Sequence, residues 1–288
     1  MGIPESQLEN WSHQGAVTTA KTTHESIRNA LNSYERPNGV GFEVYLQGSY
    51  KNDTNIRGDM DVDLAVQINS TFYSNLSEEQ KRYLGLLPAS YRWNDFKSDV
   101  LSALKDYYDL LTITEGNKSI KVETSSGRLP ADVVVCAQYR RYRSLNIHDY
   151  VEGVTFWTKN ENRQIINYPK IHYDNGVSKH QKTNNQYKST VRVFKNIRNY
   201  LEEIYQISDS LAPSYLLECL LYNVPDDKFS GNYRDVFCNI LNWLNKANLE
   251  AFVCQNEQLK LFGNTPEQWL IYNAEIFMQK LIKLLNDW

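Results

Sequence analysis

Tyr45-Leu46-Gln47-Gly48-Ser49-Tyr50, followed by Asp61-Val62-Asp63-Leu64, decides how this 288-residue chain is read. The apolar, aromatic stretch Phe42 to Leu46 alternates as a strand does and runs into Gln47-Gly48-Ser49, which reads as a turn. Glycine at such a bend lets the backbone approach a phosphate, and the serine hydroxyl with neighbouring N–H groups can bind phosphate oxygens. A strand turns residues i and i+2 to one face, so Asp61 and Asp63 are expected to present two carboxylates to one spot while Val62 faces the core. Asp132 then opens Val133-Val134-Val135-Cys136, a β-branched run suited to a buried strand beside the first two. Three aspartates at strand ends beside a phosphate-binding bend make an all-oxygen donor set. Hard cations take such ligands, and a metal pair about 3.5–4 Å apart stabilises both the attacking and the leaving oxygens of an in-line displacement. The expected ions are two Mg2+, with Mn2+ as a substitute.

The segment Tyr50 to Met60 is polar and reads as a loop returning the chain to a second strand, Val62 to Ile68. Asp59-Met60-Asp61 repeats the Asp-x-Asp spacing, so the pair admits a second register. Asp61 and Asp63 are preferred because the apolar run Leu64 to Ile68 follows directly. Asp59, beside Gly58, is assigned to the loop, as a solvated turn residue or one with an Asx-type hydrogen bond.

Gly48-Ser49, Asp61-x-Asp63 and Asp132 together resemble the DNA polymerase β-like nucleotidyltransferase superfamily. With Trp11-Ser12-His13-Gln14-Gly15-Ala16, Asn167-Tyr168-Pro169-Lys170 and Ala212-Pro213-Ser214-Tyr215-Leu216-Leu217-Glu218-Cys219, the chain resembles bacterial CD-NTases, the cGAS/DncV-like nucleotidyltransferases of CBASS anti-phage systems, most of all the CdnE clade. The resemblance implies an α/β (α+β) fold: a mixed sheet bearing the aspartates, a long N-terminal helix bracing it, and a helical C-terminal lobe, the two lobes enclosing the active site. It implies a template-independent enzyme that joins nucleoside triphosphates into a cyclic dinucleotide, releases pyrophosphate, and signals to a downstream effector. Ser49 is then the phosphate-binding serine, flanked by Gln47 and Gly48; Asp61, Asp63 and Asp132 are the metal ligands. Lys195 and Ser214 match triphosphate contacts, Tyr215 a base-stacking tyrosine, and Asn167 a lid asparagine associated with uracil recognition.

The residues themselves support these roles unevenly. Tyr187, Val191, Phe194, Ile197, Leu201 and Ile204 recur at helical spacing, which leaves Lys188, Arg192, Lys195 and Asn199 on another face; such a stripe can face phosphate or simply water. Ser214-Tyr215 follows Pro213 at the expected first turn of a helix, where a serine can hold a phosphate oxygen and a tyrosine can stack a base; Tyr215 as ordinary core fits the periodicity equally. An asparagine amide carries a donor and an acceptor, so Asn167 can pair with N3–H and a carbonyl of uracil, or serve as a turn residue before Tyr168-Pro169. UTP is therefore expected in at least one position, with UTP or ATP as its partner.

The formal net charge of −3 excludes a wholesale electrostatic grip on long nucleic acid. Tyr139-Arg140-Arg141-Tyr142-Arg143 comes closest to a nucleic-acid patch, and a solvated segment is its other reading. Cys136, Cys219, Cys238 and Cys254 form no close pair, and the five histidines form no metal motif, so the zinc-bearing DNA-binding insertion of animal cGAS is not expected. No apolar run approaches a membrane span and the first residues lack a signal peptide's order; a cytoplasmic monomer without membrane contact is expected.

The pattern predicts a helix over Glu5 to Ser33 with Ile27, Ala30 and Leu31 on its apolar face, a break at Arg36-Pro37-Asn38-Gly39, and a helix over Trp93 to Tyr108. Strands and loops are expected up to about Tyr173 and helices from Lys188 onward, including Asp235 to Lys246 and Pro266 to Leu285. The polar stretch Asp174 to Asn185 reads as a connector between lobes or a lining of the cleft mouth, with a catalytic lobe expected over 1–173 and a helical nucleotide-binding lobe over 174–288. Two other functions fit parts of the pattern: a transferase that extends a linear oligonucleotide or tails tRNA, and an inactive nucleotide sensor.

Overall fold

A computed structural model of the chain describes residues 2–35, 40–59, 61–125 and 127–288; the break expected at Arg36-Pro37-Asn38-Gly39 lies outside the described residues. In chain order the first elements are α1 (Glu5–Ser12), α2 (Thr18–Asn32), β1 (Phe42–Leu46), α3 (Gly48–Asn52), β2 (Val62–Ser74), α4 (Glu78–Tyr83) and α5 (Trp93–Tyr107). Then come β3 (Ile113–Glu115), β4 (Ile120–Val122), β5 (Ala131–Tyr142), β6 (Tyr150–Trp157), β7 (Gln164–Asn167) and α6 (Pro169–Lys182). The chain finishes with α7 (Tyr187–Tyr205), α8 (Ser214–Tyr222), α9 (Tyr233–Leu244) and α10 (Ile271–Asp287). Two compact units result: a sheet unit of Val17–Tyr50 and Met60–Lys170, and a helical unit of Met1–Ala16, Lys51–Asp59 and Ile171–Trp288.

The sheet unit is built on one seven-stranded mixed sheet. β2 pairs β5 in parallel, and every other pairing is antiparallel. β2 occupies one edge of β5; the other edge is divided between β4, at Ala131 to Val133, and β6, at Ala137 to Tyr142. Runs of β-branched residues let β2 and β5 sit buried in the middle. Val62, Leu64, Val66, Ile68 and Val133 are fully or almost fully buried with Ile27 and Leu31 of α2 and Phe96, Val100 and Leu104 of α5. The Trp93 indole N–H donates to the Val135 carbonyl at 2.8 Å and pins the start of α5 to the sheet. Each such side chain contributes about 1.5–3 kcal/mol by leaving water, so the central parallel pair, which carries Asp63 and Asp132, is also the most strongly anchored part of the unit.

The helical unit packs α7, α8, α9 and α10 around Phe194, Leu217, Phe237, Ile240 and Phe277. Phe194 and Phe237 place their ring centres 5.2 Å apart. The alternation of apolar residues along α7 matches the helix expected there, and the end of that helix is marked by Gln206 in the left-handed region.

Three expectations are corrected. The single helix over Glu5 to Ser33 is two helices, α1 and α2, interrupted at residues 13–17. Gly15 leaves helical geometry to donate its N–H to the Asn55 carbonyl at 3.0 Å, and a Cβ there would lie 2.6 Å from the Ile56 oxygen. The polar stretch 174–185 is largely helix, because α6 begins at Pro169, where a proline suits a first turn. The C-terminal helix starts at Ile271 rather than Pro266; residues 263–268 form a turn in which Gln268 bonds Thr265 and the Phe262 carbonyl.

Candidate active site

In the sheet unit, parallel pairing sets Asp63 of β2 opposite Asp132 of β5, one residue inside each strand. Residues in register on neighbouring strands point to the same face about 4.8 Å apart, so the two carboxylates share one spot and both are partly buried. Gln47 donates its backbone N–H to the Asp63 carbonyl at 2.9 Å, which docks the end of β1 against the start of β2. Gly48, at φ +62°, occupies a conformation open to glycine, and a Cβ on it would fall 2.1 Å from Asp63 Oδ2. The turn expected at Gln47-Gly48-Ser49 is thus the start of the short helix α3, with Ser49 in its first turn. The Ser119 hydroxyl donates to Asp132 Oδ1 at 3.1 Å, and Lys121 of β4 stands opposite Asp132 in the antiparallel pair.

Asp61 lies just ahead of β2 and is exposed. Among the described residues no group of three or more His, Cys, Asp or Glu side chains is gathered so as to hold a metal ion. The structure brings Asp63 and Asp132 together, with Asp61 exposed two residues ahead of Asp63. Asp61, which precedes the strand, is not held by the ladder that fixes Asp63 beside Asp132. The oxygen donors suit a hard divalent cation, and the missing Gly48 side chain is what lets the Asp63 carboxylate lie against the start of α3.

Asn167 ends β7, opposite Val154. Its side chain is exposed and its amide makes no hydrogen bond among the described residues. The backbone around it is closely packed: a Cβ on Gly153 would lie 2.7 Å from the Asn167 carbonyl oxygen.

In the helical unit the basic stripe of α7 is neither solvated nor open. Lys195 is 1% exposed and donates to Asp59 Oδ2 and, at 3.2 Å, to the Thr54 carbonyl. Lys188 pairs with Asp53 at 2.8 Å, and Arg192 donates to the backbone carbonyls of Ser12 and Asp53. The cations hold the 53–59 segment from one side, and buried Glu218 of α8 holds it from another by accepting from Asn52 at 3.1 Å, Thr54 at 2.6 Å and His172 at 2.8 Å. Burial alone would raise the Glu218 pKa, but the His172 bond and charge, the Thr54 hydroxyl and nearby Lys195 hold it below the usual carboxylate range. Asp59 is the loop residue expected, accepting from the Ile56 N–H at 3.1 Å, and its ion pair with Lys195 was not legible from local sequence.

Ser214 is the first residue of α8, following Pro213, and its hydroxyl accepts from Arg198 at 3.4 Å. Tyr215 is 37% exposed. Its ring stacks with His172 at 5.1 Å and Trp269 at 5.5 Å, and its hydroxyl accepts from the Asn256 amide at 3.2 Å. Ser119, Lys121, Arg198 and Trp269 had not been singled out; β4 is three residues long and carries no periodic signal, and the partners of the others lie far away in sequence.

Residues 174–286 match the family model described as the cGAS/DncV-like nucleotidyltransferase C-terminal helical domain. The chain is 57% identical over 290 residues to the cyclic UMP-AMP synthase of Rhodothermus marinus, with 100% of this chain and 99% of the relative covered. It is 41% identical to the cyclic nucleotide synthase CdnE01 of Staphylococcus haemolyticus, with 100% of each covered. Its structure resembles that of the Rhodothermus marinus CdnE c-UMP-AMP synthase with Apcpp and Upnpp at a TM-score of 0.95 and 56% identity, covering 99% of this chain and 97% of that one. Parallel carboxylates beside a glycine-led helix, the helical unit and these full-length likenesses place the chain in the cGAS/DncV-like nucleotidyltransferases, among the CdnE cyclic nucleotide synthases. It is a nucleotidyltransferase whose substrates are nucleoside triphosphates.

Proposed function

We propose that this chain condenses UTP and ATP into a cyclic UMP-AMP dinucleotide with release of two pyrophosphates. The observation that carries the reading is its 57% identity, end to end, with a protein named for that product. Two Mg2+ ions held by Asp61, Asp63 and Asp132 would supply charge neutralisation at the reacting phosphate. Asp63 and Asp132, fixed by the parallel ladder, supply the rigid part of that ligand set, and Asp61 the adjustable part. Ser49, in the first turn of α3 beside Asp63, donates its hydroxyl to a phosphate oxygen. A ribose hydroxyl of one nucleotide attacks the α-phosphorus of the other, and pyrophosphate leaves; a second transfer closes the ring.

Asn167, with its amide uncommitted, reads the uracil edge. Ser214, supported by Arg198, offers a hydroxyl to a triphosphate oxygen, and the half-exposed ring of Tyr215 extends its existing stack to a base. The burial and pairing of Lys195 support a bracing role for it in place of the direct triphosphate contact expected from the sequence. The product would act as an anti-phage second messenger read by a separate effector, with the enzyme working as a monomer.

Incubating the purified chain with Mg2+ and each pair of the four nucleoside triphosphates, then identifying products by mass spectrometry, tests this reading. Cyclic UMP-AMP as the main product is expected from ATP with UTP. A linear dinucleotide alone, or a product lacking uridine when UTP is present, would sink it.

A further inference from the structure

The sheet unit contains a cavity of about 760 Å³ at the opposite end of β2 from the aspartates. Tyr73 lines it and Asp63 does not; a bulge between Ile68 and Phe72 shortens β2, and the two stand opposite Tyr139 and Asp132 of β5, roughly 23 Å apart at the usual rise. Three aromatic rings make one wall. Trp157 lies 4.8 Å from Tyr73 and 5.0 Å from Trp93, centre to centre. The Trp93 indole N–H is spent on Val135, whereas that of Trp157 meets no acceptor among the described residues. The charged lining is lopsided: Lys81, Arg82 and Arg92 against Glu78. Lys81 and Glu78 neutralise each other at 2.7 Å, while the guanidinium groups of Arg82 and Arg92 make no ion pair among the described residues and are exposed.

We propose that this cavity is a second ligand site, which takes a planar aromatic ring bearing an anionic group. Its volume falls within the range of about 300–1,000 Å³ typical of small-molecule sites, which are mostly aromatic with a few placed polar groups. The part-exposed rings of Trp157 and Tyr73, backed by buried Trp93, supply the aromatic surface, the Trp157 N–H a donor, and the two arginines the charge for a carboxylate or phosphate. The distance from Asp63 makes it independent of the nucleotide chemistry proposed above.

The probe is 2-naphthoate, with neutral 2-naphthamide as its control, followed through the indole N–H signals of the six tryptophans in a nitrogen-15 correlation spectrum of the full chain. Saturable shifts confined to Trp93 and Trp157 are expected with 2-naphthoate, and much weaker ones with 2-naphthamide. Arg82→Gln and Arg92→Gln, both exposed and therefore harmless to folding, should each weaken binding by about tenfold. Asp63→Asn, at the far end of the strand, should leave it unchanged. Lack of saturation, equal shifts at all six indoles, equal binding of the neutral control, or unaltered affinity in both arginine variants would each overturn the proposal.

Discussion

Replacing Gly48 by alanine is the smallest change that should disable the enzyme. The added Cβ would lie 2.1 Å from Asp63 Oδ2, against an optimal carbon contact of about 3.5 Å, so the carboxylate must retreat by roughly 1.4 Å or α3 must shift. Neither is free: Asp63 is held in the ladder with Asp132 on one side and by the Gln47 N–H on its carbonyl. Alanine at φ +62° adds about 1–2 kcal/mol of backbone strain. A misplacement of about 1 Å in a catalytic group costs on the order of 100-fold in rate. Gly48→Ala should therefore lower the melting temperature by only a few degrees while product formation from ATP and UTP falls on the order of 100-fold. Gly41→Ala is the matched control, since nothing lies within 4 Å of its Cβ position. Near-native rates in Gly48→Ala, with the fold intact, would refute the close approach of Gly48 to a catalytic carboxylate.

Asn167→Ser should shift base incorporation away from uridine when all four nucleoside triphosphates compete, read by product mass; unchanged composition would remove its role in base choice. Lys195→Gln removes the buried ammonium that Asp59 and the Thr54 carbonyl share and should cost about 1–3 kcal/mol in urea unfolding, so an unchanged stability would contradict the bracing role. His180, which accepts the Lys188 N–H, has its pKa lowered to about 4 by burial and then by the charges of Lys188 and Arg192. The unfolded chain then binds the proton more readily than the fold. Its contribution to stability is complete above the ordinary value near 6.5 and is lost as pH falls toward 4. His180→Asn keeps an acceptor but does not titrate, and unfolding free energies measured across that window should fall less steeply than in the native chain.

The strands that carry Asp63 and Asp132 were readable because their signals are local: alternation in Phe42 to Leu46, and the unbroken apolar runs after Asp63 and Asp132. The same holds for α5 and α7, whose apolar spacing alone fixes a face. What stayed hidden depends on partners remote in sequence. Gly15 is an unremarkable helix residue until the Ile56 carbonyl comes within 2.6 Å of its missing Cβ. Helix α6 looked like a linker because its polar residues are satisfied inside the fold; Lys179, 8% exposed, donates to the Val224 carbonyl and to Asp226. Lys195 and Asp59, 136 positions apart, give no hint of each other in the sequence, so their ion pair could not be read from it.

The most direct test labels the α-phosphate of UTP and follows its conversion, with ATP and Mg2+, into a product that phosphatase cannot attack. The native chain should give a phosphatase-resistant species with the mass of cyclic UMP-AMP, and Asp63→Asn should lose on the order of 1,000-fold in its rate of formation. Label that remains fully phosphatase-sensitive with the native chain, or resistant product made equally well by Asp63→Asn, would contradict the account.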